Sequence, residues 1–382
     1  MRVLMIVEAG GGVARHITDL CIGLSHKGID VQLIYSPGRM DAVLASGLKS
    51  LSKFGVPVTA VKMHKQPSLS DIAALWKIRQ YVKRYGPFDV IHGHSSKGGG
   101  LARLLFGVGP AKKIYSAHAF VTMNPNLSKW KYLFYSTVER FLSFLGDAVV
   151  TTSPIEHAHA IAGLHIPPAK IHLIPNGIDV NRAATNNCRC RLRRAWSVSE
   201  DEILVGSIAR FVEQKSLSTL IRAIALVAEA NIRVRLVLIG DGPLKSQLQQ
   251  EVADLGISHL VVWPGYFDEQ RAASALDVFA LSSLYEGFPY VLLNALAAGL
   301  PVVSTRVGGA EMVVDDGKNG FVVAPGSVRE IAVALQVLCN DKKKRKRMGQ
   351  ASRLKVQEFS VSEMVDKISG TYHRLVSPDL PK

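Results

Sequence analysis

Residues 281–323 read LSSLYEGFPYVLLNALAAGLPVVSTRVGGAEMVVDDGKNGFVV. Apolar runs at the start, middle and end of this stretch are typical of buried strands, and the first two enclose a segment of helical length. Glu286 follows the first strand, and the Gly-Phe-Pro after it opens the helix, because proline is favoured near a first helical position. This order indicates a parallel α/β sheet that binds its ligand at the carboxyl ends of the strands.

The same alternation of strands and helices extends through both halves of the chain and is interrupted once. Residues 171–179 read IHLIPNGID, where Pro175, Asn176 and Gly177 are turn formers. A length of 382 residues also suits two domains. The pattern predicts two doubly wound α/β domains, residues 1–178 and 179–360, whose strand ends face a central cleft. A last helix in residues 361–382 is expected to return to the first domain.

The chain is basic, with a net charge of +15. Residues 1–175 contain 20 Lys and Arg against 9 Asp and Glu, so the first domain carries most of the excess. Such a charge favours an anionic partner, which can be a phosphorylated substrate, a membrane surface or a nucleic acid. We expect no nucleic acid, because no RNA- or DNA-binding motif is recognisable.

A peripheral location on the inner face of the cell membrane follows from the charge and from the absence of long apolar runs. No run reaches the ~18 residues of a membrane span, and the apolar start, residues 1–7, is too short for a signal peptide. Residues 69–85 predict a helix with apolar Ile72 and Trp76 beside basic residues. It either packs on the sheet or lies on an anionic bilayer. The lysines expected to extend a membrane-facing patch are Lys49, Lys53, Lys62, Lys65, Lys112, Lys113, Lys129 and Lys131.

The four cysteines indicate a reducing, cytoplasmic environment. They are too few for a disulfide framework, and the pair Cys188 and Cys190 lacks the second pair that a zinc site requires.

Two further loops carry residues suited to phosphate chemistry. Gly11 and Gly12 follow the first strand and open a helix, where free N–H groups can meet an anion. Arg210 stands just after a strand and Lys215 precedes a helix, and two cations in one strand-end loop can hold a diphosphate. Each loop alone is also compatible with a tight turn or with solvated surface charge.

Taken together, these motifs resemble the family-4 retaining glycosyltransferases, also called glycosyl transferases group 1. The motifs that carry the resemblance are E-G-F-P at 286–289, A-A-G-x-P-V at 297–302, G-G-x-E at 308–311, N-G-I-D at 176–179 and G-D-G-P at 240–243. The resemblance implies a GT-B fold and the transfer of a hexose-type sugar from a UDP- or GDP-sugar. The implied acceptor is a hydroxyl of a lipid-linked glycan, as in bacterial exopolysaccharide, capsule or lipopolysaccharide assembly, and no metal or other cofactor is expected.

The family's roles can be placed on this chain where its residues match. Arg210 and Lys215 would bind the diphosphate, and Glu286 would contact the transferred sugar. The donor contacts implied in all are Gly11, Gly12, Arg210, Lys215, Glu286, Gly287, Phe288, Pro289 and Asn294. His118 would be catalytic beside Glu286, with His64, His92 and His94 as alternatives. A front-face displacement fits this set, because the sequence offers no convincing carboxylate pair of the glycosidase kind.

Two positions depart from the family pattern. Asn294 stands where the family has a second glutamate that binds ribose, so donor affinity and base preference are in doubt, and Asn294→Glu is expected to tighten donor binding by about 1 kcal/mol. Ser216 stands where a glycine usually follows the lysine. Two other readings stay open: a non-catalytic glycosyltransferase-like subunit, which Asn294 favours, and a sugar-nucleotide epimerase of the same fold.

Overall fold

The computed structural model describes residues 1–64, 66–180, 186–230 and 232–377, with only the backbone described at 186–188 and 270. Lys65, one of the lysines expected in the basic patch, and the side chain of Cys188 therefore lie outside the described residues. Two compact units are present: one comprises Met1–Gly177 and the chain from Val361 onward, and the other comprises Ile178–Ser360. We call them unit 1 and unit 2.

Both units alternate strands and helices along the chain. The strands are β1 Arg2–Val7, β2 Asp30–Tyr35, β3 Val58–Ala60, β4 Val90–His94, β5 Lys112–Ser116, β6 Ala148–Thr151, β7 Ile171–Leu173, β8 Ile203–Ile208, β9 Val234–Ile239, β10 Val261–Gly265, β11 Val278–Leu281, β12 Val302–Thr305 and β13 Gly320–Val323. The α-helices are α1 Gly11–His26, α2 Ala42–Lys53, α3 Ser70–Tyr85, α4 Ser95–Arg103, α5 Lys129–Leu145, α6 Pro154–Ala158, α7 Asn186–Ala195, α8 Leu217–Glu229, α9 Lys245–Asp254, α10 Glu269–Ser274, α11 Tyr290–Ala297, α12 Ala310–Val313, α13 Val328–Asn340, α14 Lys342–Lys355 and α15 Val361–Val376.

Unit 1 is built on a seven-stranded parallel sheet in the order β3-β2-β1-β4-β5-β6-β7. Because side chains alternate across a strand, Val3 and Met5 of β1 pack on one face and Leu4 and Ile6 on the other. Helices α1, α2 and α15 cover the first face, and α3 and α4 cover the second. The last helix thus belongs to unit 1.

Unit 2 is built on a six-stranded parallel sheet in the order β10-β9-β8-β11-β12-β13. The strand order reverses direction between β8 and β11, which are hydrogen-bonded neighbours. Ligands of doubly wound sheets bind at such a switch point, outside the carboxyl ends of the strands. Arg210 and Lys215 follow β8, and Glu286 follows β11, so the sequence places all three at this point.

The segment before β8 contains a helix that the predicted alternation of strands and helices did not include. Helix α7 forms there, and Arg193, which is 1% exposed, bonds Asp277 Oδ2 at 3.0 Å. Arg189 donates to the other oxygen of Asp277 at 2.8 Å, so two arginines fasten α7 to the start of β11. Because arginine is usually exposed, the arginines of α7 do not by themselves predict a packed helix. Their pairing with Asp277 would have been needed to predict it.

Among the described residues, no helix is both long and apolar enough to cross a membrane. The described cysteines Cys21, Cys190 and Cys339 are free thiols. Burial raises the pKa of the Cys21 and Cys339 thiols to about 12, so neither is a thiolate at neutral pH.

Candidate active site

The carboxylate of Glu286 is the centre of the unit 2 site. It is buried, and its Oε1 accepts hydrogen bonds from Lys215 Nζ at 2.5 Å and from Ser283 Oγ at 2.7 Å. The side chains of Lys215 and Glu286 are 19% and 10% exposed, so the pair is shielded from most of the solvent. The structure therefore brings together the predicted diphosphate cation and the predicted sugar contact.

Backbone contacts lock the loop after β8 to the loop after β11. Leu284 N donates to Gln214 O at 2.8 Å, and Gln214 Nε2 donates to Tyr285 O at 2.9 Å. Ser282 Oγ donates to Lys215 O at 2.9 Å. Sequence reasoning missed Gln214, which is next to Lys215, and Ser282 and Ser283, which lie a few residues before Glu286. A preorganised pair of this kind loses little conformational freedom when a ligand binds.

Ser216 adopts a left-handed backbone conformation, which is the conformation that favours the glycine found at this position in the family. Its φ is +45°, in the left-handed region, and it is the N-cap residue of α8. Left-handed φ costs a side chain about 1 kcal/mol relative to glycine. The turn that presents Lys215 is thus kept here despite the substitution.

Arg210 lies exposed at the start of the same loop. Its guanidinium has no side-chain partner among the residues that the structure describes, which leaves its donors available to a ligand. The G-D-G-P loop packs behind it, since Phe211 N donates to Asp241 O at 2.9 Å. Gly240 has φ +134°, and a Cβ there would lie 2.0 Å from Ala209 O, so only glycine allows this approach.

The E-G-F-P segment lies immediately before α11, so its backbone forms the N-terminus of that helix. Pro289 is the N-cap residue of α11, and Phe288 is 5% exposed in the core of unit 2. Gly309 has φ +77°, and a Cβ there would lie 2.5 Å from Phe288 Cδ2. The G-G-x-E motif therefore holds the E-G-F-P turn in place. Gly287 and Phe288 remain predicted phosphate contacts through their backbone amides at a helix N-terminus, and Pro289 remains a predicted donor contact.

Asn294 lies inside α11 and has a partner that the sequence did not reveal. It is 1% exposed, and its Nδ2 donates to Glu269 Oε2 at 2.6 Å, while its Oδ1 is buried with no hydrogen-bond partner among the described residues. A carboxylate is thus present next to position 294, contributed by α10. This changes the expectation for Asn294→Glu, because the new carboxylate would face Glu269.

The predicted catalytic residue His118 lies in a cluster of four histidines in unit 1. His94 Nδ1 and His118 Nε2 are 3.1 Å apart, and the His16 and His118 ring centroids are 4.6 Å apart. His16 Nδ1 lies 3.0 Å from Oδ1 of Asn176, the first residue of the N-G-I-D motif. Sequence reasoning missed His16. This histidine lies among the apolar residues on the buried face of the helix that follows the glycines, and that position could have indicated it.

Burial favours His118 over its alternatives. His92 is 0% exposed and uses both ring nitrogens, with Tyr372 OH at 2.6 Å and Ser116 Oγ at 2.8 Å. His94 is fully buried as well, and His64 is exposed away from the cluster, whereas His118 is half-buried. Burial is also the main reason why the pKa of His118 lies well below 6.5, so the ring is a neutral hydrogen-bonding group at pH 7.

The backbone at His118 is held in an uncommon conformation. His118 and Ala119 have φ of +55° and +87°, both in the left-handed region. Ala119 N donates to Glu156 Oε1 at 2.7 Å, and Thr152 N donates to Glu156 Oε2 at 2.6 Å. The fully buried Glu156 therefore ties the His118 turn to the end of β6.

In the glycine turn after β1, one of the predicted anion donors already has a partner in the protein. Gly11 N, expected to meet an anionic ligand, donates to Asp41 Oδ2 at 2.6 Å. Asp41 is also the N-cap of α2 through Leu44 N, at 2.8 Å. A ligand anion at Gly11 would have to displace this carboxylate, while Gly12 is exposed beside it. Their role as donor contacts remains a prediction.

Two doubly wound parallel α/β units, each with ligand chemistry after its strands, define the GT-B class of glycosyltransferases. HepE from Anabaena, crystallised with UDP and glucose, has the same fold: its TM-score is 0.82 at 21% identity, over 97% of this chain and 99% of that one. This likeness shows the fold.

The chain belongs to the family-4, or group 1, glycosyltransferases and is therefore a glycosyltransferase. The model described as "Glycosyl transferases group 1" matches residues 189–355, and "Glycosyltransferase Family 4" matches residues 10–182. D-inositol 3-phosphate glycosyltransferase of Stackebrandtia nassauensis is 30% identical over 77% of this chain and 71% of its own length. The Escherichia coli UDP-Gal:alpha-D-GlcNAc-diphosphoundecaprenol alpha-1,3-galactosyltransferase is 25% identical over 86% of this chain and 85% of its own length. The resemblance read from the sequence is confirmed.

Proposed function

We propose that this glycosyltransferase moves a hexose-type sugar from a UDP- or GDP-sugar to a hydroxyl of a lipid-linked glycan, with retention of anomeric configuration. The observation that carries the proposal is the largely shielded Lys215–Glu286 pair, with exposed Arg210 in the same loop, at the switch point of unit 2. Cations suit the diphosphate and a carboxylate suits the sugar hydroxyls, so one site offers partners for both halves of a sugar nucleotide.

In the proposed reaction, the bond between the anomeric carbon and the diphosphate oxygen breaks while the acceptor oxygen bonds the same face of that carbon. The acceptor's proton passes to the departing phosphate oxygen, so the products are a glycoside and a nucleoside diphosphate. Arg210 and Lys215 stabilise the charge that grows on the leaving group. Glu286 Oε1 already accepts two hydrogen bonds, which suits a residue that orients hydroxyls better than a nucleophile.

On the family resemblance, we assign His118 to the transferred sugar. A neutral imidazole can donate or accept a hydrogen bond at a hydroxyl without repelling an electron-poor anomeric carbon. The low pKa of His118 keeps it in this state over the physiological range.

The acceptor part of the proposal rests on charge and on a relative. The Escherichia coli relative acts on a sugar joined to diphosphoundecaprenol, by its name. A lipid-linked acceptor brings a diphosphate and a membrane surface, which suits the excess of basic residues over residues 1–175. We place the enzyme on the cytoplasmic face of the cell membrane, in the assembly of a surface polysaccharide.

The reaction is proposed to need no metal, because two side-chain cations serve the diphosphate. EDTA should then leave transfer unchanged. Loss of activity in EDTA would overturn this part and would direct attention to His16, His94 and His118, whose ligand-capable nitrogens lie within 4.8 Å of one another.

The test is transfer of radiolabel from a panel of UDP- and GDP-sugars into solvent-extracted lipid, with proton coupling constants of the new linkage. The proposal predicts a labelled lipid product of the donor's anomeric configuration with one donor. Inverted configuration would refute retention. Epimerised donor without acceptor would support an epimerase, and the absence of any turnover would support a non-catalytic subunit.

A further inference from the structure

Helix α5 in unit 1 exposes five large apolar side chains. Its aromatic and aliphatic side chains lie at helical spacing along one side, and their exposed fractions run from 55% to 82%. We call these residues the α5 stripe: Trp130, Leu133, Phe134, Phe141 and Phe144. Single exposed apolar residues are ordinary, but a contiguous set of large ones marks an interaction surface.

The opposite side of α5 fixes the orientation of the stripe. Glu139 is buried, accepting hydrogen bonds from Arg103 Nη2 at 2.9 Å and from Tyr115 OH at 3.2 Å. Leu142 is also buried beside it. Arg103 and Glu139 form a buried ion pair, and rotating the helix to hide the stripe would leave both charges unpaired. The stripe is therefore exposed as a consequence of how the helix is anchored.

The charges around the stripe indicate what covers it. Lys129, Lys131 and Arg140 are exposed on α5, and Glu139, the one acidic residue of this helix, is buried. Helix α3 of the same unit also has an exposed tryptophan, Trp76, among basic residues. Exposed aromatic residues bordered by basic side chains on the same helix are complementary to an anionic bilayer.

We propose that the α5 stripe is the membrane-docking surface, inserting into the interfacial layer of an anionic bilayer while the lysines meet lipid phosphates. The proposal rests on the proposed function, because α5 begins in the same β5-to-β6 connection that carries His118. A lipid-linked glycan anchored in the bilayer would then present its hydroxyl near the strand ends of unit 1.

This surface differs from the patch expected from the sequence. Lys49 and Lys53 lie on α2, which covers the opposite face of the sheet from α3, so the predicted lysines do not form one surface. Lys113 is partly withdrawn, since its Nζ donates to Arg103 O at 3.2 Å. Ile78 and Val82 of α3 pack on the sheet, as the simpler reading of residues 69–85 predicted.

The experiment is co-sedimentation of the full chain with vesicles of equal parts phosphatidylglycerol and phosphatidylcholine, over a salt series. The stripe variant replaces four exposed aromatic residues by serine: W130S, F134S, F141S and F144S. The matched control removes exposed apolar residues of unit 2: Y266S, V333S and L354S, which are 72%, 53% and 76% exposed. We expect the stripe variant to lose about tenfold or more in partitioning, and the control to bind like the unaltered chain.

A second measurement does not depend on a multiple variant folding. Bromine-labelled lipid should quench the tryptophan fluorescence of a W76F chain, and this quenching should disappear in the W76F W130F chain, whose remaining tryptophans, Trp196 and Trp263, lie in unit 2. Equal partitioning of the stripe variant and the unaltered chain, or no quenching of Trp130, would overturn the proposal. So would a dimer of the unaltered chain that the stripe variant converts to monomer without any vesicle binding, since the stripe would then join two copies.

The two proposals fail separately. If the stripe variant still transfers sugar to detergent-solubilised acceptor but not to acceptor in vesicles, docking and transfer are both supported. If vesicle binding follows the stripe while no sugar nucleotide is turned over, the proposed reaction fails and the docking surface stands.

Discussion

Glu286→Gln separates the two functions assigned to the unit 2 site, which are diphosphate binding and contact with the transferred sugar. In the structure the charge of Lys215 is offset by Glu286, so an incoming diphosphate must compete with that carboxylate for the ammonium group. Glutamine keeps the shape of the side chain and an oxygen that can accept from Ser283. The variant therefore removes the competing charge and leaves the loops in place.

The magnitude follows from the geometry of this pair. A charge-assisted hydrogen bond contributes about 1.5–3 kcal/mol, and diphosphate binding would no longer have to break it. In the variant, the ligand phosphate would also no longer be repelled by the negative charge of Glu286. Because the site is partly open to solvent, we expect a net gain of about 1 kcal/mol, or roughly fivefold tighter binding of the nucleoside diphosphate. Sugar transfer should fall roughly tenfold to a hundredfold, since the sugar loses a contact of the same kind.

Isothermal titration calorimetry with UDP and GDP measures the first effect, and initial rates of transfer measure the second. Lys215→Ala is the counterpart, because it should weaken nucleoside diphosphate binding and leave Glu286 uncompensated. Weaker binding of nucleoside diphosphate by Glu286→Gln, or transfer at the unaltered rate, would refute the assignment of the two residues.

Asn294→Glu should lower the free energy of unfolding by about 1–3 kcal/mol, because two carboxylates would meet where Asn294 now donates to Glu269. Adding Glu269→Gln should restore the melting temperature, and an additive loss in the double variant would contradict the pairing. Gly309→Ala should destabilise unit 2 by about 1–3 kcal/mol, because φ is +77° and the new Cβ would collide with Phe288; an unchanged urea midpoint would refute this. Stability should fall on acidification from about pH 6.5 to pH 4, because burial lowers the pKa of His16 to about 4 while the unfolded chain protonates at its ordinary value. The loss is about 1.4 kcal/mol per pH unit for each such histidine, and equal urea midpoints at pH 7 and pH 5 would contradict it.

Much of the fold was predictable because buried parallel strands leave a strong apolar signal. The stretch 281–323 contains the end of β11, helix α11 and the strands β12 and β13, in the order that its apolar runs predict. The strands β3 and β7 were missed, since each has three residues and lies at an edge of the sheet, where partly exposed side chains weaken the pattern.

The candidate site was predictable where motif and strand end coincide, and unpredictable where distant elements meet. Arg210, Lys215 and Glu286 follow neighbouring strands, so their sequence positions already indicated one edge of the sheet. Glu269 reaches Asn294 from another helix, and that contact depends on how α10 packs on α11. The α5 stripe was missed because an exposed apolar face and a buried one have the same helical period.

The measurement that bears most directly on the central claim is binding of UDP and GDP by Arg210→Ala. The control is Arg329→Ala, which removes another exposed arginine of unit 2. If the loop after β8 holds the diphosphate, the unaltered chain and the control bind one of the two nucleotides equally, and Arg210→Ala binds it roughly tenfold to a hundredfold more weakly. Equal affinities in all three chains, or binding of neither nucleotide by the unaltered chain, would contradict the claim.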